Sequence, residues 1–462
     1  MAFLVSSTCP ECGAPTKHHE GALTFKCQYC ASVLRMQAEG MTLKYIIPAR
    51  LDEKAAALAI KKLLVNRKIT PVTKVKKVTV IYDPFWNLRG MLFYLVAGDG
   101  KAEISAKTWF HSFQANETFL PSFTSLGIQS QVLELEHYDA EKFPKSAVLL
   151  PTTLIEKDAL KAAKKAATAA MDMDGKRPGF SDLKMVGEKL SIIYYPVISV
   201  VCEGETGYHT IMVDGVNGNL LAEEAGRIET QGIGESDTVA VPPKLITHRC
   251  PNCGHNLKDG DFDLTFHCGE CRRLWMLKDN DYASIKINAI RPMERGGAYI
   301  PFWRFKLEIS SGEGSDVISK IGDRAKIMKG GGFNLRNEDP ERDITFYVPA
   351  IVTRNASGLL SLAIRINIFQ KDLPPSDGEA MPDGEAFGLS LAEEEAREML
   401  EPLVFAVTGR IDAKMIAFYN NIQIEVKKSD IVWYPVSFEK DMLVDRYHEY
   451  HFPKRWLDTD VY

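Results

Sequence analysis

Eight of the nine cysteines stand in two sets that share one spacing, Cys-x2-Cys-x14-Cys-x2-Cys. The first set is Cys9, Cys12, Cys27 and Cys30; the second is Cys250, Cys253, Cys268 and Cys271. A Cys-x-x-Cys turn brings two sulfurs to one side of a tight knuckle, and two knuckles close a tetrahedron of thiolates around one dication. Zinc favours that shell, and four sulfurs leave it no open position, so the pattern predicts two structural Zn2+ sites and no catalytic one. Iron is the alternative ion for the same donors. Gly13 and Gly254 follow the second cysteine of each set, where the knuckle needs a permissive backbone. Pro10 and Pro251 follow the first and stiffen the turn. The repeated spacing argues against disulfides. Proline and glycine in the knuckles argue against a redox pair, which needs a strand–helix setting. Lys26, His248, Arg249, Arg272 and Arg273 either offset the charge of the thiolate shells or are simply solvated.

The runs Cys-Pro-Glu-Cys-Gly at 9–13 and Cys-Pro-Asn-Cys-Gly at 250–254 resemble the zinc-ribbon family. The spacer is expected to form a β-hairpin arm, with Leu23 and Phe25, or Leu264 and Phe266, ahead of the third cysteine. The whole arrangement is similar to bacterial four-cysteine zinc-ribbon proteins with a β-rich body and a Pro-Phe-Trp strand. That resemblance implies architecture and little chemistry. Residues 192–220 resemble the end of a PepSY-type module, closing on Asp214-Gly215. The second copy departs from it at Phe452-Pro453-Lys454, and no function follows from the likeness.

Other chemistry-bearing residues read as structural. Cys202 lies among strand residues and is expected to be a small core side chain. His209 and His448 fall at matching places in two terminal hairpins, but no carboxylate repeats beside them at the same offset, so neither is assigned to metal or base chemistry. Trp86 and Trp303 either line a groove or anchor a core, and the core is preferred. The nearest approach to a phosphate-binding loop, at 329–333, lacks the closing Lys-Ser/Thr. No His-Glu-x-x-His, Gly-x-Ser-x-Gly or repeated carboxylate pair is present.

These residues must be held by something, and the chain reads as a tandem duplication. Landmarks recur in order: Leu23-Thr24-Phe25 with Leu264-Thr265-Phe266, Pro84-Phe85-Trp86 with Pro301-Phe302-Trp303, Leu150-Pro151 with Val348-Pro349, Tyr194-Tyr195-Pro196-Val197 with Trp433-Tyr434-Pro435-Val436, and Tyr208-His209 with Tyr447-His448. The expected fold is α+β in two homologous halves, each an N-terminal zinc ribbon followed by a β-rich domain with one or two helices. The boundaries are ribbon 1 at 1–40, domain 1 at 41–230, a Gly/Ser/Pro linker at 231–245, ribbon 2 at 246–280 and domain 2 at 281–462. Helices are predicted at 52–68, at 156–173 with a lysine face, and at 390–403 with Ser390 as cap. The segment 373–388, rich in Pro and Asp-Gly, reads as an exposed loop.

The net charge of -5 and 25% charged residues describe an ordinary soluble globular protein and disfavour a dedicated nucleic-acid binder. Apolar runs at 78–97 and 191–201 are interrupted or too short to span a bilayer. The start, Met1-Ala2-Phe3-Leu4-Val5, does not read as a secretory signal, and clustered cysteines then point to a reducing, cytoplasmic setting. A non-enzymatic interaction or scaffold protein with a protein partner is the expected function. The alternative is nucleic-acid binding through the ribbons and the basic run Lys61, Lys62, Arg67, Lys68, Lys74, Lys76 and Lys77.

Overall fold

In a computed structural model of the chain, the residues described are 3–38, 42–51, 55, 58, 72–98, 101–116, 133–141, 143–172, 180–204, 207–226, 242–294, 296–312, 317–326, 339–353, 355–376, 381, 383–408 and 413–458. The fold is mixed and mostly β, with few helices. Contacts divide it into two units. One comprises Met1–Leu88, Phe110–Ala166 and Lys189–Thr247; the other comprises Arg89–Trp109, Ala167–Glu188 and His248–Tyr462. The strands Val72–Gly98, Lys101–Gln114 and Phe180–Gly204 therefore contribute residues to both.

In the first unit, Phe180–Gly204 is the spine of a ten-stranded sheet. Its Ser191–Tyr194 stretch pairs in parallel with Leu43–Ile46, and its later residues pair antiparallel with Gly207–Asp214. The ribbon strands Leu4–Thr8 and Pro15–His19 belong to this same sheet, because Leu4–Thr8 also pairs in parallel with Glu134–His137. Val5, Tyr45, Ile81, Phe85, Leu135 and Tyr195 form the core beneath it. Lys244–Thr247, at the end of the expected linker, is a strand paired with Val33–Gln37 of the first ribbon. In the second unit, Ala298–Ser311 and Ile422–Glu439 form a long antiparallel pair at the centre of a six-stranded sheet. Phe302, Phe305, Tyr434, Leu359 and Leu403 pack there together with Met91, Phe93 and Val186 from earlier in the chain.

The lysine-faced helix forms at Glu156–Asp172, with Ala159 and Ala163 buried and Lys157, Lys161, Lys164 and Lys165 exposed. Most of the helix predicted at 52–68 lies outside the described residues. The one predicted at 390–403 is two shorter helices, Glu393–Glu398 and Leu400–Val407. Pro402, which has no N–H to donate back into the preceding turn, accounts for the break. Ser390 is not the cap. Its hydroxyl accepts from the Val352 N–H at 2.8 Å, while the Glu395 carboxylate reaches back to the Ala392 N–H at the helix start, also at 2.8 Å.

The pattern gave no sign of Ala356–Phe369, a helix of 14 residues capped by Asn355, nor of Ala413–Asn420. The segment 373–388 is tied down where it is described. Glu385–Ala386 pairs in parallel with Ala298–Tyr299, and the Ser376 N–H donates to the Ala289 carbonyl at 2.8 Å.

Candidate metal centres

Each knuckle closes its own hairpin. In the first ribbon, Thr8 pairs with Pro15 across one knuckle and Lys26 with Val33 across the other. In the second, Arg249 pairs with Asn256 and His267 with Leu274. The spacer is therefore not the hairpin arm expected from sequence: its two ends pair outward, toward the chain before and after the cysteines. The backbone inside every knuckle follows one scheme. The amides of Cys9, Cys27, Cys250 and Cys268 donate to the carbonyls of Ala14, Ser32, His255 and Arg273, at 2.8–2.9 Å. The amides of Gly13, Ala31, Gly254 and Arg272 donate back to those four cysteine carbonyls at 2.9–3.0 Å. These donors sit at positive φ, 72°, 60°, 75° and 58°. Glycine relieves that conformation in the first knuckle of each ribbon, whereas Ala31 and Arg272 adopt it at some cost.

The turns gather the sulfurs. Within each set all four Sγ atoms lie within 4.8 Å of one another, an arrangement that could hold a metal ion. Cys9 and Cys30 are 3.8 Å apart, Cys12 and Cys27 3.9 Å, Cys250 and Cys271 3.6 Å, and Cys253 and Cys268 3.5 Å. A tetrahedron with zinc–sulfur bonds of ~2.3 Å has edges of ~3.8 Å, so the donor set and its size fit such an ion. None of these cysteines is in a disulfide. Cys12 and Cys30 are exposed, whereas Cys253 and Cys271 are half-buried, so the second cluster is the better shielded. Lys26, Arg249, Arg272 and Arg273 are all exposed. His248 is fully buried, its Nδ1 bonded to the Tyr282 hydroxyl and its ring against the edge of Phe266. Its place is in the packing of the ribbon.

Compared with known proteins, the chain matches no protein family, no curated protein and no solved structure.

The remaining candidates fall into the scaffold. Cys202 is fully buried opposite His209, packed with Ile198, Val200 and Val213, and burial pushes its thiol up. The Trp86 indole donates to the Leu154 carbonyl at 2.8 Å and the Trp303 indole to the Leu391 carbonyl at 2.9 Å. Each of those carbonyls lies two residues ahead of a helix, Glu156–Asp172 or Glu393–Glu398. His209 and His448 are not equivalent. His209 is in mid-strand, whereas His448 is in the turn after Met442–Asp445, with its Nδ1 2.8 Å from Asp445 Oδ2.

A carboxylate does repeat, then, at a shifted offset. The Tyr195 hydroxyl donates to Asp214 at 2.8 Å and the Tyr434 hydroxyl to Asp445 at 2.6 Å. Of the basic run, Lys61, Lys62, Arg67 and Lys68 lie outside the described residues. Lys74, Lys76 and Lys77 are exposed, and Lys76 is paired with Glu203 at 2.6 Å. No helix among the described residues is long and apolar enough to cross a membrane.

Asp83, immediately before the Pro-Phe-Trp landmark, is fully buried. One carboxylate oxygen accepts from the Gln114 amide at 2.8 Å, and the other has no partner. Burial pushes its carboxyl up to about 7. The folded state thus favours the protonated acid. The contribution is fully present below the unfolded pKa of ~4, declines as pH rises, and is lost above ~7. Asp83→Asn should therefore leave stability nearly unchanged at about pH 4 and raise it at about pH 8, by at most on the order of 4 kcal/mol. Urea melts at the two pH values check this; equal shifts at both would refute it.

Proposed function

We propose that this chain is a non-enzymatic, zinc-binding scaffold that engages protein partners through two related modules in a reducing, cytoplasmic setting. The observation that carries the reading is the closure of both clusters. Four sulfurs at tetrahedral separation fill every position of a zinc ion, so the metal rigidifies a surface and leaves no place for substrate.

Repetition supports the second part of the reading. In the first unit the Ala115 amide donates to the Pro84 carbonyl, the Leu150 amide to Tyr82, and the Thr153 and Leu154 amides to Ala115. In the second unit Ala350 donates to Pro301, Phe387 to Tyr299, and Ser390 and Leu391 to Ala350. The Ile47 amide donates to Tyr194 and the Ile290 amide to Trp433, both at 3.0 Å. This scheme favours descent from one duplicated module, with Leu150 matched to Phe387 rather than to Val348. Two similar faces on one chain suit the bridging of two copies of a partner through effective concentration.

The test is elemental analysis of full-length protein purified without added metal, combined with affinity capture at low and high salt. Two zinc per chain and a protein partner retained at high salt, then lost from Cys12→Ser, would support the proposal. Absence of bound metal would overturn it. A complex formed only with DNA or RNA, and dissolved by salt, would replace it with the nucleic-acid reading.

A further inference from the structure

The two clusters share a spacing but not their surroundings. In the second ribbon Leu257, Phe266 and Trp275 are buried with Cys250 and Cys268, and Cys253 and Cys271 pack against the same apolar group beside Leu277 and Tyr282. All four cysteines are thus seated in one small core. In the first ribbon the matching core holds Cys9 and Cys27 with Phe25 and Leu34, and Leu245 packs at its margin. Cys12 and Cys30 lie outside it and are exposed. Two positions differ in the sense that this requires. Counted from the cysteines, Trp275 stands where the first ribbon has Leu34, each opposite a phenylalanine across its hairpin. Leu257 stands where the first ribbon has Thr16.

That contrast has a chemical consequence. A thiolate in such a shell is still a nucleophile, and access to its sulfur governs how fast an oxidant reaches it. Cys12 and Cys30 are where a small oxidant meets the first cluster, whereas the apolar packing screens the second. The geometry for the following step is also present. Every Sγ of the first set lies within 4.8 Å of the others, so a sulfur oxidised at Cys12 or Cys30 has a neighbouring thiolate at hand. Cys9 is 3.8 Å from Cys30, and Cys27 is 3.9 Å from Cys12. An S–S bond is ~2.05 Å, so closing either gap draws two sulfurs out of the tetrahedral arrangement.

We propose that Cys12 and Cys30 make the first cluster a site of reversible oxidation by hydroperoxides, and that the second cluster is spared. This rests on the zinc-binding reading given above. The exposed thiolate attacks one peroxide oxygen, the O–O bond breaks, and the departing alkoxide or hydroxide takes a proton, leaving a sulfenic acid. A second thiolate of the set attacks that sulfur. The S–S bond forms, the S–O bond breaks, and the hydroxide released is protonated to water. Two thiolates, one hydroperoxide and two protons become one disulfide, one alcohol (water in the case of hydrogen peroxide) and one water. The two electrons come from the sulfurs, and the oxidised cluster no longer offers four thiolates to an ion. The knuckle at Cys9–Cys12 joins Leu4–Thr8 to Pro15–His19, and Leu4–Thr8 also pairs with Glu134–His137. Oxidation therefore loosens an edge of the ten-stranded sheet, which the second ribbon, in its own sheet of three strands, does not touch.

The test uses the full chain, with its zinc counted before any oxidant is added. Hydrogen peroxide is then supplied at a few equivalents. Released zinc is followed with a chromogenic chelator, and free thiols are mapped by differential alkylation and mass spectrometry. The expected result is one zinc lost per chain, with a disulfide inside the first set, at least tenfold faster than any loss from the second. A thiol reductant with added Zn2+ should restore the count. The double variant Leu257→Thr, Trp275→Leu should bring release from the second cluster to within about threefold of the first. If that variant fails to hold two zinc before oxidation, the wild-type rates decide alone. Equal rates from the two clusters, earlier loss from the second, or zinc released with all eight thiols still free would overturn the proposal. A count below two before peroxide is added bears on the zinc reading instead. The thiol map then still decides the order of oxidation, Cys12 and Cys30 before Cys253 and Cys271.

Discussion

Cys9→Ser and Cys250→Ser should each lower bound zinc from two equivalents to one, but the damage should spread much further in the first variant. Structural zinc held by thiolates contributes ~10–16 kcal/mol of apparent binding free energy, which is available only to the folded ribbon. Removing one thiolate forfeits most of it. In the first unit the knuckle at Cys9–Cys12 joins Leu4–Thr8 to Pro15–His19, and Leu4–Thr8 is also hydrogen-bonded to Glu134–His137 within the ten-stranded sheet. Loss of that knuckle removes an edge from the sheet and uncovers Val5 and Leu135 of its core. In the second unit the ribbon strands Thr265–His267, Leu274–Lys278 and Asp281–Ile285 make a separate three-stranded sheet.

Hydrogen exchange with mass spectrometry reads the difference. Cys9→Ser should lose protection at Leu4–Thr8, Glu134–His137 and Leu43–Ile46, whereas Cys250→Ser should lose it mainly within residues 248–285. Cys202→Ala, a change to a cysteine outside both clusters, should leave the zinc count at two. Two zinc retained in either ligand variant would contradict the assignment of the clusters, and matched exchange patterns in the two would contradict the role given to the sheet.

The two four-cysteine clusters were legible because their geometry is local. Two sulfurs in a Cys-x-x-Cys turn meet whatever the rest of the chain does, and the spacing carries the geometry. Longer-range features were not legible to the same degree. Ala356–Phe369 is buried on most sides, with Leu359, Leu362, Ala363 and Ile366 all nearly inaccessible, so it lacks the polar face that makes a helix visible as a periodicity. The stacked imidazoles of His18 and His137 join residues more than a hundred positions apart through strand pairing alone. A related difficulty affects two of the landmark pairs read from the sequence as a repeat. Dipeptide likeness set Leu150-Pro151 against Val348-Pro349, but Val148–Leu149 runs parallel to its neighbour whereas Thr345–Pro349 runs antiparallel to its own. The parallel partner in the second unit is Glu385–Ala386, inside the segment whose prolines and Asp-Gly pairs read as a loop.

The other landmark pair leads to the second large effect. Asp445→Ala should cost ~3–5 kcal/mol, the range for removing one member of a buried charged network. Asp445 and Tyr434 are fully buried and His448 nearly so. The carboxylate accepts from the Tyr434 hydroxyl at 2.6 Å, the Tyr447 amide at 3.0 Å and the His448 amide at 3.3 Å, and its second oxygen is 2.8 Å from His448 Nδ1. Alanine removes the acceptor and leaves those donors in a medium that cannot solvate them. Burial, the largest cause of the upward shift of the Tyr434 hydroxyl, remains in the variant, so that hydroxyl keeps its proton and is left without its acceptor.

Asp214 makes the same clasp in the first unit. It accepts from the Tyr195 hydroxyl at 2.8 Å, the Val216 amide at 2.8 Å and the Asn217 amide at 3.2 Å, with the Asn217 side-chain amide, 3.0 Å away, in the place taken by His448. Asp214→Ala should therefore cost a similar amount. Urea unfolding followed by tryptophan fluorescence and far-UV circular dichroism gives both values, and a loss below ~1 kcal/mol in either variant would show the clasp to be incidental. The Tyr-Asp pair, and not the Tyr-His dipeptide, is what the two hairpins share. The tyrosine fixes one strand, the aspartate turns the chain two and three residues on, and the residue closing the turn differs, Asn217 in one and His448 in the other.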